Sequence, residues 1–227
     1  MIWYINDLAD NPAALLAFAA AFGLALVLGI AFHEFCHAWA ASELGDQTAA
    51  RQGRLTLNPM VHLEPMGILL LLIVGFGWGK PTPVNPYNLR IGAKAGNALV
   101  ALAGPASNFV FATIAAMPIR FGLASPASLD QIATASGTEI LGLFLFFFVL
   151  YNVLLGTFNL IPIHPLDGFK VATGVLPRDM SIQFQRLAPY GPGILMTLIV
   201  VGLILPQYNV LAWIILGVQD FVFGVLF

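Results

Sequence analysis

The residues most able to do chemistry are His33-Glu34-Phe35-Cys36-His37, set in the otherwise apolar stretch Ala31 to Ala41. In an α-helix, residues i and i+4 lie one turn apart on one face. Two imidazoles so placed can share one zinc ion, and the glutamate between them can act as general base toward water. The plain alternative is a polar pair satisfied within the core. That alternative is weak in a membrane, where ionisable groups are costly and are kept for function.

Two histidines do not complete such a site. A catalytic zinc usually takes a third protein ligand and leaves its fourth position open. The candidates are His62, in a polar loop, and His164 and Asp167, in "IPIHPLDG". His62 reads as a loop hydrogen-bonder. Pro162 and Pro165 hold the second segment extended, and Gly168 permits a sharp turn beside Asp167.

The elements that must position these groups are apolar. Of the 227 residues, 59% are hydrophobic and only 9% charged, against about a quarter charged in a soluble domain. Lipid is therefore the expected solvent. A net charge of −2 without a basic run gives no sign of nucleic-acid binding, and the single cysteine, Cys36, leaves no internal disulfide partner. Asp7 and Asp10 replace the basic start of a cleavable signal peptide, so none is expected. There is no heptad series or repeat.

The expected fold is an all-α polytopic membrane protein forming one domain over 1–227. Residues 13–41, 93–121 and 139–163 are long apolar runs, and the first would extend about 43 Å as a helix. Two further spans are expected within 190–227, for about five full crossings. Met66 to Trp78 is too short for an easy crossing and is followed by Pro-rich "GKPTPVNPYNLR"; it is expected to dip into the membrane and return, or to pack shallowly, without crossing. "RLTLN", Arg54 to Asn58, looks strand-like. Arg51, Arg54, Lys80, Arg90 and Lys94 follow the first run, and Lys170, Arg178 and Arg186 follow the third. The positive-inside rule places both regions on the cytoplasmic side. If 66–78 does not cross, Asp167 arrives on the same side as His33 and His37. If it crosses, they lie about 30 Å apart.

Several ordered segments resemble the site-2 proteases, intramembrane zinc metalloproteases, in a compact prokaryotic form without PDZ or CBS domains. "HEFCHAWAA" resembles their zinc helix. "RLTLNPMVHLEPMG" and "GWGKPTPVNPYNLR" resemble the membrane-dipping region, and "GPASN" the small-residue motif of the middle helix. "FNLIPIHPLDG" resembles the segment carrying the third ligand. The catalytic core would cover about 13–168. The resemblance implies one Zn²⁺ per chain held by His33, His37 and Asp167, Glu34 as base, and Asn159 near the substrate or oxyanion. A carboxylate at 167 also offsets the cation's charge better than a third imidazole would. His164 is kept as a secondary candidate beside Asp167. Asn108 is a second, as an interhelical hydrogen-bonder among the packing residues Gly104, Ala106 and Ser107. Cys36 departs from the family's usual small or aliphatic residue and reads as a buried hydrophobe.

The resulting expectation is hydrolysis of peptide bonds in or near transmembrane segments of membrane-protein substrates. The enzyme would lie in the bilayer of a prokaryotic inner membrane, with its active site toward the cytoplasm. A substrate helix must first unwind, because its carbonyls are bonded internally. An edge near "RLTLN" could receive the extended chain. The alternatives are a catalytically silent relative that binds helices, expected to have lost Glu34 or a ligand, and a membrane metal transporter, expected to carry more acidic and histidine residues along its spans. A di-iron oxygenase would need many more than four histidines.

Overall fold

The computed structural model describes residues 12–67, 79–126 and 136–227. All regular structure among them is helical. Helix α1 spans Pro12–Glu43 and short α2 Thr48–Arg51; α3 spans Ala93–Arg120 and α4 Gly137–Asn159. The chain then forms α5 (Asp167–Val175), α6 (Arg178–Gln185), α7 (Gly191–Ile204) and α8 (Val210–Leu226). Four helical stretches are long and apolar enough to cross a membrane: Ala19–Glu43, Ala93–Arg120, Gly137–Asn159 and Arg178–Ile204. Val210–Leu226 is a shorter apolar helix.

Local chemistry sets the ends. Pro12 opens α1 at a position where no N–H is needed, and Gly45, at φ +107°, turns the chain just beyond it. Helix α4 begins in a capping box. Ser136 Oγ accepts from Glu139 N, and Glu139 Oε2 accepts from Ser136 N at 2.7 Å. Pro162 and Pro165 prevent α4 from continuing toward Asp167.

Helices α1, α3 and α4 pack through one apolar cluster. Ala112, Ala115 and Ala116 of α3 lie among Phe22 and Ala25 of α1 and Phe147, Phe148, Val149 and Val153 of α4. Lipid offers no hydrophobic drive between helices, so close approach over small residues does this work.

The expected strand at Arg54–Asn58 does not form. Its polar groups are spent locally: Asn58 N donates to Thr56 Oγ1, Asn58 Oδ1 accepts from Met60 N at 3.1 Å, and His62 Nε2 donates to the Thr56 carbonyl at 2.8 Å. Such local bonds compete with a ladder. Among the described residues the extended pairing is one antiparallel bridge, Leu63 with Gly79, beside a Lys80 N–H bond to the His62 carbonyl at 2.7 Å. Most of the expected membrane-dipping segment, 68–78, lies outside the described residues. Its two flanks meet in this bridge, so both emerge at one end of the bundle.

Asp46 secures that end. Its fully buried carboxylate accepts from Thr48, from Asn85 N at 2.6 Å and from Asn88 Nδ2 at 2.9 Å. Burial pushes the Asp46 carboxyl up, but these hydrogen bonds outweigh it and hold the group below the usual carboxylate value.

Among the described residues there are five apolar helices, but the last two run differently from the expected out-and-back pair. Helix α8 lies antiparallel to α4. Leu211 packs with Ile161, Gln219 Nε2 reaches the Leu150 carbonyl at 3.5 Å, and Phe223 and Leu226 pack near Leu143 and Phe147. Arg120, at the far end of α3, donates to the Val225 and Leu226 carbonyls at 3.0 Å. The chain therefore ends away from Asp167. Helix α7 starts against His164 and ends with Gly202 against Asn209, next to Leu211. Helices α7 and α8 thus make one traverse between them.

Candidate metal centre

Three side chains from three parts of the chain converge. His33 and His37 lie on one face of α1, and Asp167 is the first residue of α5. The two Nε2 atoms are 3.0 Å apart, and Asp167 Oδ2 lies 3.1 Å from the first and 2.9 Å from the second. All three residues are buried, and they are the metal-capable group found among the described residues.

The partners of the other ring nitrogens decide what this triangle can do. His37 Nδ1 lies 2.7 Å from the Val100 carbonyl, which can only accept, so this nitrogen carries the proton. His33 Nδ1 lies 2.7 Å from Asn108 Oδ1. That amide is oriented by its own Nδ2, which donates to Asn152 Oδ1 at 2.8 Å and to the Gly29 carbonyl at 3.3 Å. Asn152 is fixed in turn by donating to the Phe148 carbonyl at 2.8 Å. In the neutral rings both Nε2 atoms therefore carry lone pairs, and Asp167 Oδ2 adds a third donor. A single added proton would satisfy one of the three contacts and leave the others repulsive. One cation satisfies all three.

The dimensions agree. Zinc–ligand distances of about 2.0–2.1 Å in a tetrahedron imply donor separations of about 3.3 Å, close to those found. Histidines donating their second N–H to fixed oxygens are the usual support for a bound zinc. Hydrogen bonds between membrane helices average only about 0.6 kcal/mol. The orienting role of the Asn108–Asn152 bond therefore outweighs its contribution to stability.

Glycines let the helices close on this point. A Cβ on Gly104 would lie 2.4 Å from His37 Nε2 and 2.7 Å from His33 Nε2, so α3 can pass the histidines only with glycine there. A Cβ on Gly168 would lie 2.1 Å from the Leu160 carbonyl oxygen, so glycine lets α5 begin against the end of α4. Lys94 Nζ bonds the Leu176 carbonyl at the other end of α5. Asp167 is thus placed from both sides. Its second oxygen, Oδ1, pairs with Lys170 Nζ at 3.2 Å, which leaves Oδ2 for the histidines.

A cleft of about 260 Å³ opens beside the triangle and is lined by Glu34, Thr82, Asn97, Asn159 and Lys170 among others. Glu34 Oε2 accepts from Thr82 N at 2.9 Å and from Thr82 Oγ1 at 2.7 Å. Asn159 lines the cleft, while its Nδ2 donates to the Leu155 carbonyl one turn back at 3.0 Å. His164 does not join the triangle; its ring stands edge-on to Phe169, with centroids 5.6 Å apart. His62 is buried in the loop on its bond to Thr56, and half-buried Cys36 lies outside the triangle. Sequence reasoning did not single out Asn152, Thr82 or the chemical placement of Lys170. An asparagine inside an apolar run was a signal for the first. The other two depend on tertiary placement.

A membrane bundle that brings two imidazoles and a carboxylate to one point, with a glutamate beside them in a cleft, defines a membrane metallohydrolase. The comparisons with known proteins give the family. The profile of peptidase family M50 matches residues 121–200. A Bacillus subtilis (strain 168) protein named "Putative zinc metalloprotease YwhC" is 36% identical over 168 residues, 74% of each chain. "Putative zinc metalloprotease Rip2" of Mycolicibacterium smegmatis is 34% identical over 188 residues, 81% of this chain and 66% of the relative. Its Mycobacterium tuberculosis namesake is 31% identical over 168 residues, 71% of this chain and 61% of the relative. No solved structure matches the chain significantly. The chain belongs to peptidase family M50, the site-2 proteases, and is an intramembrane zinc metalloprotease.

Proposed function

We propose that this enzyme hydrolyses peptide bonds in or beside the transmembrane segments of membrane-protein substrates, with His33, His37 and Asp167 as zinc ligands and Glu34 as the base. The observation that carries the reading is the triangle of lone-pair donors whose protons are committed elsewhere. Bound zinc supplies a Lewis acid that polarises the scissile carbonyl and acidifies the attacking water. His33 and His37 present Nε2 because Asn108 and Val100 hold their Nδ1 protons. Glu34 accepts a proton from the water and returns it to the departing amine. Asn159 lines the cleft wall, which supports a role for it beside the unwound substrate backbone.

Orientation follows from charge. Eight of the nine Lys and Arg residues lie in the segments around the cleft end of the bundle, and Arg120 lies at the other. This favours a cleft facing the cytoplasm across a prokaryotic inner membrane. One domain over 1–227 fits the shared packing of α3 and α4 with α8. The silent-relative alternative is disfavoured because Glu34 and all three ligands are present.

The test is purified, zinc-loaded protein in proteoliposomes with single-span substrate proteins, fragments being mapped by mass spectrometry. Cuts at bilayer depth or just beside it are expected. Zinc uptake into the vesicles without any cleavage would favour the transporter alternative.

A further inference from the structure

The carboxylate of Glu34 is held by a residue from another part of the chain. Thr82 Oγ1 lies 2.7 Å from Oε2 and 3.1 Å from the Glu34 carbonyl oxygen, and its backbone N–H reaches Oε2 at 2.9 Å. The hydroxyl has one proton, and the closer acceptor is the carboxylate. Oε1 receives no hydrogen bond from the described residues, so the carboxylate is anchored by one oxygen and presents the other. Without that anchor, a glutamate with three side-chain torsions could turn away from the cleft. Charge-assisted bonds of this kind are the strong ones.

Thr82 belongs to a segment pinned at both ends to the region around α1. Lys80 N bonds the His62 carbonyl beside the Leu63–Gly79 bridge, and Asn85 N bonds Asp46 Oδ2 at 2.6 Å. The side chain at 82 therefore arrives at Glu34 on a support that does not depend on the metal triangle.

We infer that Thr82 is a positioning residue for the general base, orienting the Glu34 carboxylate by its hydroxyl so that the free oxygen serves the reaction. This rests on the reading of Glu34 as base. Thr82 touches neither the triangle nor, on this account, the reacting atoms. Its loss should therefore appear in turnover and not in zinc binding or substrate affinity.

Thr82→Val keeps the shape and backbone N–H but removes the hydroxyl. It should lower kcat about 10-fold or more, with KM and zinc content at wild-type values. Thr82→Ser restores the hydroxyl and should recover kcat to within a few-fold. A Thr82→Val enzyme with wild-type kcat overturns the inference. So does a Ser variant as slow as Val, a loss confined to KM, or a loss that tracks zinc content. Thr82→Ala is the second variant should Val not fold; failure of both to fold would make Thr82 structural and also overturn it. Glu34→Gln in parallel separates the two readings. An active Gln variant removes the base assignment, whereas a dead Gln variant beside a fully active Thr82→Val removes only the present inference.

Discussion

Replacing Gly104 by alanine tests whether the metal centre depends on α3 passing the two histidines without a side chain. The added Cβ would lie 2.4 Å from His37 Nε2 and 2.7 Å from His33 Nε2. Ordinary contact begins at 3.4 Å, so one ring must retreat about 1 Å and the other about 0.7 Å if the helices hold. Metal sites tolerate about 0.2 Å in ligand distance. Retreat from α3 is opposed because it would stretch the 2.7 Å bonds to Val100 and Asn108, which lie on α3 itself, one turn to either side of Gly104. Disturbing only the supports of a ligand weakens metal binding about 10–100-fold; displacing two ligands should cost at least about 100-fold. The fold should survive, since alanine is favoured over glycine in a helix by about 1 kcal/mol, offsetting part of an overpacking cost of about 1–3 kcal/mol. The control is Gly217→Ala, where nothing lies within 4 Å of the new Cβ. Zinc affinity would be measured by chelator competition on purified protein in detergent, with helicity and elution volume reporting the fold. Wild-type zinc affinity in a folded Gly104→Ala protein would refute the geometry.

Asp167→Ala should lose zinc and activity together, whereas His164→Ala should keep zinc and change activity modestly; metal analysis of the two purified variants separates them, and the reverse pattern would move the third ligand to His164. Single cysteines at positions 54 and 80, in a Cys36→Ala background, should label from the same face of the membrane, and a tag after Phe227 should be reached from the opposite face. Labelling of 54 and 80 from opposite faces would break the shared end of the bundle that the Leu63–Gly79 bridge requires.

Much of the centre was legible because its chemistry is local. His33 and His37 share a helical face by spacing alone, and the "LDG" segment brought Asp167 with its helix-opening glycine. The apolar runs gave α1, α3 and α4. The directions of α7 and α8 were not legible, because orientation is read from Lys and Arg and none follows Arg186. A strand at Arg54–Asn58 was a fair reading of alternating residues, but Thr56, Asn58 and His62 consume polar groups that a partner strand would need. Asn108 reads from the sequence as an interhelical hydrogen-bonder; that its oxygen holds the His33 tautomer depends on Asn152, forty-four positions away. Thr82 looked like one polar residue in a proline-rich link, and only folding brings it to Glu34.

The central claim is that Glu34 does the proton transfer beside a zinc ion it does not hold. Glu34→Gln preserves shape and hydrogen bonding to Thr82 but cannot serve as base. The purified variant, measured together for zinc content and for cleavage of a substrate that the wild-type enzyme cuts, should contain one zinc per chain and yield no product. Wild-type cleavage by that variant would contradict the account.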